Sequence, residues 1–520
     1  MMISYSDLPE KTTVFGPPGT GKTYTLEHIF SSYTSSGRDD ALYITYSRSM
    51  ASDARRRMDL SKEYVSTFHS AFTRFLGWDM DSFLTDDDYT EFARITGLKK
   101  TATIDINNEE IEEEDEITQF LRGYNYLYLK YGIEAEKHIH EMTKFYINGI
   151  DFGYLFDKYN DFKFKKGKAD YTDIITEVFK NIYVLPNLGL LLVDEVQDMR
   201  PIMWKIIEKW YSSGKIEKLV VAGDDDQNIY YYDGADVRDM LKFASNTRKI
   251  YLNQSFRIPR QIRDVAMETL KQITTREKKD FQPAEWDGKV IRLNNLEQAI
   301  RMLAEMDGSK FILARTRYYI LHATKILNIL KYPYLTINSN HSYLSPYNMS
   351  AIELASIFMD WPPKDFENMR KIIVNLPANV LVRGIKSKFE ERKYDKLPQN
   401  LFYKTDDYFN SFFVKKFDKY EILDMMDIPV NKKNAVRNLL SSGQKIDVEQ
   451  IIKIDTIHAA KGREADNVLL IQNVPRTTYM EMFSDRNIYD SEMRIKYVAI
   501  TRTRKTLILV NDPTISHMSI

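Results

Sequence analysis

The sequence predicts an α/β protein built on short parallel strands. Three observations carry that prediction. The octet Gly16-Pro17-Pro18-Gly19-Thr20-Gly21-Lys22-Thr23 fits the phosphate-loop pattern G-x-x-x-x-G-K-[ST] between an apolar run and a helical one. Apolar runs of four to six residues that end in polar turns recur along the chain. That alternation is the α/β signature, with ligands held at the carboxyl ends of the strands. One such run, residues 190–193, is apolar without interruption and suits the middle of a parallel sheet.

Residues 12–15 read as a buried strand entering the octet, and 24–30 as the first turns of the helix leaving it. Its glycines let backbone N–H groups close around the β- and γ-phosphates, and the helix dipole favours the anion. Gly16 to Thr23 and the adjoining Tyr24 are therefore candidate nucleotide contacts, with Lys22 on the transferring phosphoryl group and Thr23 on Mg²⁺. Residues 41–46 read as a second strand, followed by a helix over 47–58 carrying Arg48, Arg55, Arg56 and Arg57. A short strand over 65–70 enters another helix.

From about 78 to 186 the chain is helical and aromatic, without a nucleotide motif. Its acidic run, 109–116, reads as a solvated face or loop. Lys163, Lys165, Lys166 and Lys168 are either contacts to a phosphate backbone or simply exposed. Strands resume at 190–193, ending in Asp194-Glu195, and at 218–222, ending in Gly223-Asp224-Asp225-Asp226-Gln227. Further strands are expected at 250–252, 310–313, 451–454 and 468–471, with a helix and strand over 493–510. Residues 345–448 are again helical.

A chain of 520 residues implies roughly three to four domains. Cysteine is absent, which excludes disulfides and cysteine-ligated metals. The net charge of −1 places any nucleic-acid surface in a local groove. No apolar run reaches the roughly twenty residues of a membrane span, and 1–11 lack a signal-peptide core. The expected location is cytoplasmic, nucleoid-associated, or the host cytoplasm if the source is viral.

Asp194 and Glu195 follow their strand as a Mg²⁺ ligand and a water-activating carboxylate would. Asp194 lies 172 residues beyond Lys22, so a domain-sized insertion separates the two. Arg257 and Arg502 are candidate arginine fingers for the charge that develops on a γ-phosphate.

In order from Gly16 to Arg504, these residues resemble superfamily 1A helicases of the UvrD/Rep/PcrA type. The most specific matches are Asp194-Glu195-Val196-Gln197-Asp198 and Thr456-Ile457-His458-Ala459-Ala460-Lys461-Gly462-Arg463-Glu464. Others are Ile44-Thr45-Tyr46-Ser47, Ser66-Thr67-Phe68-His69-Ser70, the Gly223 to Tyr230 stretch, and Tyr497 to Arg502. The resemblance implies two RecA-like P-loop motor domains, each with a mainly helical inserted subdomain. The expected boundaries are 1–78 plus 186–257 and 258–345 plus 449–520 for the motors, and 79–185 and 346–448 for the insertions.

The resemblance also implies ATP and Mg²⁺ as cofactors and single-stranded or 3′-tailed duplex DNA as partner. Movement would run 3′ to 5′, in replication, repair or recombination. The alternative is a nucleotide-gated or protein-stripping ATPase that does not unwind. By position, Gln227 would sense the γ-phosphate, Phe256 stack on the base and Glu464 hold the ribose. Tyr46 and Tyr232 would stack on DNA bases, with core packing as the alternative. Thr67, His69, Thr456 and His458 would contact the DNA backbone. Three positions depart from the family pattern. The first glutamine is Gln119, so none precedes the loop to read adenine; Tyr24 replaces an arginine; and Tyr232-Asp233 replaces an aromatic–arginine pair.

Overall fold

Leu190 and Leu192 face one side of their strand, Leu191 and Val193 the other, and all four are fully buried. A strand covered on both faces belongs at the centre of a parallel sheet, and the structure puts it there. The computed structural model describes residues 3–100, 115–142, 146–147, 149–338, 344–397, 406–442, 447, 450–515 and 518. Of the acidic run, 109–114 lie outside the described residues.

The first sheet contains β1 (Lys11–Phe15), β2 (Ala41–Thr45), β3 (Val65–Thr67), β4 (Leu188–Val193), β5 (Ile216–Gly223) and β6 (Arg248–Tyr251). Their order is β3-β2-β4-β5-β1-β6, and every pair is parallel. Register pairs Thr12 with Val220 and Leu42 with Leu191. Two cores flank the sheet. Phe15, Leu191, Val193 and Trp210 lie on one side, Val14, Leu26, Ile29 and Leu192 on the other. Helices supplied by the chain between strands cover each face, as the parallel connections require.

The helical stretch between β3 and β4 has an aromatic core of its own, including Phe92, Phe120, Tyr124, Phe156 and Tyr159. Three of its four singled-out lysines are ion-paired, while Lys165 is exposed. Lys163 is buried on Asp170 at 3.1 Å and Asp173 at 2.7 Å. Lys166 meets Glu91 at 2.6 Å and Lys168 meets Asp88 at 2.8 Å. Asp170 and Asp88 each hold a helix N-terminus, so the ion pairs tie helix ends together.

The second sheet contains β7 (Lys289–Leu293), β8 (Lys310–Ala314), β9 (Tyr334–Thr336), β10 (Ile452–Thr456), β11 (Ala465–Ile471) and β12 (Thr503–Val510). Their order is β9-β10-β8-β11-β12-β7. One continuous core joins this sheet to the helices between β9 and β10, from Ile312 and Leu469 to Phe358, Phe409 and Val436.

The chain divides into two units. The first comprises Met1–Val290, Val474–Thr506 and Met518–Ile520, and the second Ile291–Asn473 and Leu507–His517. Residues 258–290 and 474–506 therefore belong with the phosphate loop. Among the described residues, no helix is long and apolar enough to cross a membrane.

Candidate nucleotide site and nucleic-acid face

The octet connects β1 to the helix Lys22–Thr34, with Gly21 as the residue before the helix at φ +84°. Gly19 sits at φ +75°, and a Cβ there would come within 2.4 Å of the Arg257 Cβ. That crowding explains why this position is glycine. The chain after β6 lies directly on the loop. Ser255 Oγ donates to the Pro18 carbonyl at 2.8 Å and the Phe256 N–H to the Gly19 carbonyl at 2.9 Å. Arg257 is thereby held beside the loop, while Phe256 is 74% exposed and Tyr24 60%.

Lys22 is buried and its ammonium donates to the Gly16 carbonyl at 2.7 Å. Thr20 donates to the Pro17 carbonyl at 2.8 Å. Thr23 Oγ1 donates to Asp194 Oδ2 at 2.8 Å, and the Tyr43 hydroxyl reaches the same oxygen at 2.9 Å. Burial first, then the neighbouring Glu195, pushes the Asp194 carboxyl up to about 6. A buried carboxylate beside a hydroxyl and a second carboxylate is an all-oxygen donor set, the kind that suits Mg²⁺. The left-handed glycines and the open helix N-terminus suit phosphate. The residues present fit both groups.

Glu195 occupies the left-handed region at φ +54°, which a non-glycine residue adopts rarely. Its carboxylate accepts from Gln197 Nε2, and Gln197 Oε1 accepts the Asp224 N–H at 3.1 Å. Asp224 Oδ2 accepts from Gln227 Nε2 at 2.9 Å, and Gln227 Oε1 accepts from Arg502 Nη2 at 3.1 Å. One hydrogen-bonded chain therefore joins Glu195, Gln227 and Arg502, all in the first unit. Arg502 is buried at the end of the helix Arg486–Ile500, where Nε also donates to the Val498 carbonyl at 3.0 Å.

The candidate DNA residues are arranged differently. Tyr46, half-buried at the end of β2, stacks on Tyr230 with ring centroids 5.7 Å apart. The Arg200 guanidinium lies 5.8 Å from the Tyr230 centroid. Tyr232 is 42% exposed and its hydroxyl donates to Glu492 at 3.3 Å. Thr67 accepts the Ser70 N–H at 3.4 Å and so caps the helix Phe68–Leu76. His69 lies edge-on to Tyr171 at 6.3 Å. Glu464, Thr456 and His458 belong to the second unit, where Thr456 Oγ1 accepts the Ala459 N–H at 3.4 Å in the turn after β10.

Desolvation, and then Arg48, pushes the His69 imidazole down from 6.5 to about 4. Between those values the unfolded chain binds a proton that the native chain does not. Native stability contributed by neutral His69 is therefore full above about pH 6.5 and is lost as pH falls toward 4. His69→Asn is expected to flatten that loss, read as the shift in urea midpoint between about pH 7 and pH 5. An unchanged shift would show that His69 does not carry it.

Sequence reasoning missed Tyr43, Gln197 and Arg200. Tyr43 sits in the apolar alternation of β2 and reads as core. Gln197 was visible only as a motif letter, with no role attached.

The description UvrD/REP helicase N-terminal domain matches residues 5–248, and UvrD-like helicase C-terminal domain matches 407–512. The probable DNA helicase II homolog of Mycoplasma pneumoniae is 23% identical over 96% of this chain and 81% of its own length. The ATP-dependent DNA helicase PcrA of Staphylococcus aureus is 25% identical over 57% of this chain and 42% of its own. The ATP-dependent DNA helicase Rep of Buchnera aphidicola is 23% identical over 66% and 55%. The chain thus spans about half the length of the last two. With both family halves matched in order around this site, the chain belongs to the UvrD/Rep/PcrA-like superfamily 1 DNA helicases and is an enzyme of that ATP-hydrolysing class.

Proposed function

We propose that the chain hydrolyses ATP to move 3′ to 5′ along single-stranded DNA and to unwind 3′-tailed duplexes in replication, repair or recombination, in the cytoplasm. The observation that carries this reading is the hydrogen-bonded chain from Glu195 through Gln197, Asp224 and Gln227 to Arg502. The residues to which this reading assigns water activation, γ-phosphate sensing and charge neutralisation share a single network.

In this reading Glu195 takes the proton of the attacking water. Lys22, Arg257 and Arg502 stabilise the charge that develops on the transferred phosphoryl group. Thr23 and Asp194 would hold Mg²⁺, which when bound neutralises phosphate charge. Phe256 faces solvent beside the loop and would stack on the base. Glu464 would hold the ribose. Tyr46, Thr67, His69, Tyr232, Thr456 and His458 would line the strand's path. The division into two motors interrupted by 79–185 and 346–448 belongs to the same proposal.

The test is strand displacement on 3′- and 5′-tailed DNA, with ATP turnover measured with and without single-stranded DNA. Unwinding of the 3′-tailed fork alone, with DNA-stimulated turnover, is expected. Turnover indifferent to DNA would overturn the reading. Translocation without strand separation would instead select the protein-displacing alternative.

A further inference from the structure

Asp224, Asp225 and Asp226 are consecutive, and all three side chains are fully buried. Burying three carboxylates together is very costly unless cations accompany them. Two of the compensating cations, Arg276 and Lys279, come from a segment with no place in the motifs above, and the third, Arg494, sits on the helix that leads to Arg502. Lys279, 1% exposed at its side chain, meets Asp224 at 2.9 Å and Asp226 at 2.8 Å, and also pairs with Asp225. Arg276 forms a two-pronged pair with Asp226 at 2.6 and 2.8 Å. Arg494, on the helix Arg486–Ile500, donates to the Asp225 carbonyl at 3.0 Å. The segment carrying Lys279 is itself pinned to that helix. Asp490 Oδ2 accepts the Thr274 hydroxyl at 2.7 Å and the Thr274 and Thr275 N–H groups at 3.0 and 3.1 Å.

The division of labour at Asp224 is what matters. One carboxylate oxygen, Oδ1, takes the Lys279 ammonium at 2.9 Å and, more weakly, the Asp226 N–H at 3.3 Å, and the other, Oδ2, takes the Gln227 amide. Its N–H donates to Oε1 of Gln197, the partner of Glu195. An ion pair on Oδ1 fixes the plane of the carboxylate, and so fixes where Oδ2 directs Gln227 and, beyond it, Arg502. We propose that Lys279 is a positioning residue for ATP hydrolysis, acting through Asp224 on Gln227. This rests on the hydrolytic reading given above.

A merely stabilising ion cluster predicts something different. Buried ion pairs are often replaceable by apolar groups of similar volume at little cost in stability. A cluster of that kind would leave turnover per folded molecule unchanged.

The experiment is a double-mutant cycle on the full chain, pairing Lys279→Met with Gln227→Ala and measuring kcat and KM for ATP with saturating single-stranded DNA. Lys279→Met is expected to lower kcat about 10–100-fold, the loss typical when the group orienting a functional side chain is removed, with KM within about threefold. The double variant is expected to be no slower than Gln227→Ala alone, because both changes break the same linkage. Penalties that multiply, or an unchanged kcat in Lys279→Met, would overturn the proposal.

If Lys279→Met does not fold, Lys279→Met with Asp225→Asn removes one charge of each sign and enters the same cycle. If neither folds, the ammonium serves stability alone and the proposal is overturned. A wild type without DNA-stimulated turnover sinks the functional reading and this inference with it. A wild type with turnover and multiplied penalties sinks only the role of Lys279.

Discussion

Glu195→Gln is expected to lower DNA-stimulated ATP turnover by about 10²–10⁴-fold, the range for removing a general base, while ATP still binds. Three features make this substitution informative. Glutamine has the same shape, so the hydrogen bond from Gln197 keeps an acceptor. It adopts φ +54° no more readily than glutamate, so backbone strain at the position is unchanged. It also removes the negative charge that, after burial, raises the Asp194 carboxyl to about 6. Thr23 and Asp194 keep their own contact, so that part of the oxygen donor set is retained. Turnover under saturating ATP and DNA, with affinity read from a fluorescent ATP analogue, checks both halves. Turnover within about threefold of wild type would remove Glu195 from the base role.

Lys22→Ala is expected to cost about 10²–10³-fold in turnover, the scale for losing one preorganised electrostatic contact, and to weaken ATP binding as well. Alanine is the strongest helix former, so the helix Lys22–Thr34 persists. The loss is of charge, not fold, and an unchanged circular dichroism spectrum and melting temperature would verify that. Lys22→Arg is expected to rescue little. The ammonium is buried against the Gly16 carbonyl at 2.7 Å, and a planar guanidinium does not fit that point contact. Near-normal binding and turnover in Lys22→Ala would show that the octet is only a turn.

Much of this architecture is legible in the sequence because the central strands are buried on both faces. Residues 190–193 and 310–313 read as strands from their apolar runs, and the structure extends them to Leu188–Val193 and Lys310–Ala314. Lys289–Leu293 and Tyr334–Thr336 gave no such signal. Both are sheet edges, and the first has no fully buried side chain. Residues 68–70, read with a strand, instead begin a helix, because Thr67 caps it.

The site divides along the same line. Lys22, Asp194, Glu195, Gln227 and Arg502 are readable because strand ends and motif spacing mark them. Arg276, Lys279 and Arg494 are not. Each is one basic residue among 73 lysines and arginines with no motif to mark it, and only tertiary contact gives it a meaning. Tyr46 illustrates the converse case, since the residue was singled out but its stacking on Tyr230 could not be.

The threading of the first unit bears on how the protein is made. Arg502 follows Glu195 by 307 residues, and most of the second-sheet core is translated in between, all but its part after Arg502. At about 5–20 residues per second, a ribosome takes roughly 15–60 s to cover that interval. Throughout it the nascent chain already holds the phosphate loop and both acidic residues that follow β4, but not Arg494 or Arg502. On the proposed reading, such an unfinished chain would carry the nucleotide loop without the Arg502 contact that completes the network. The order of synthesis would then act as a safeguard, since a truncated product of stalled translation would lack Arg502.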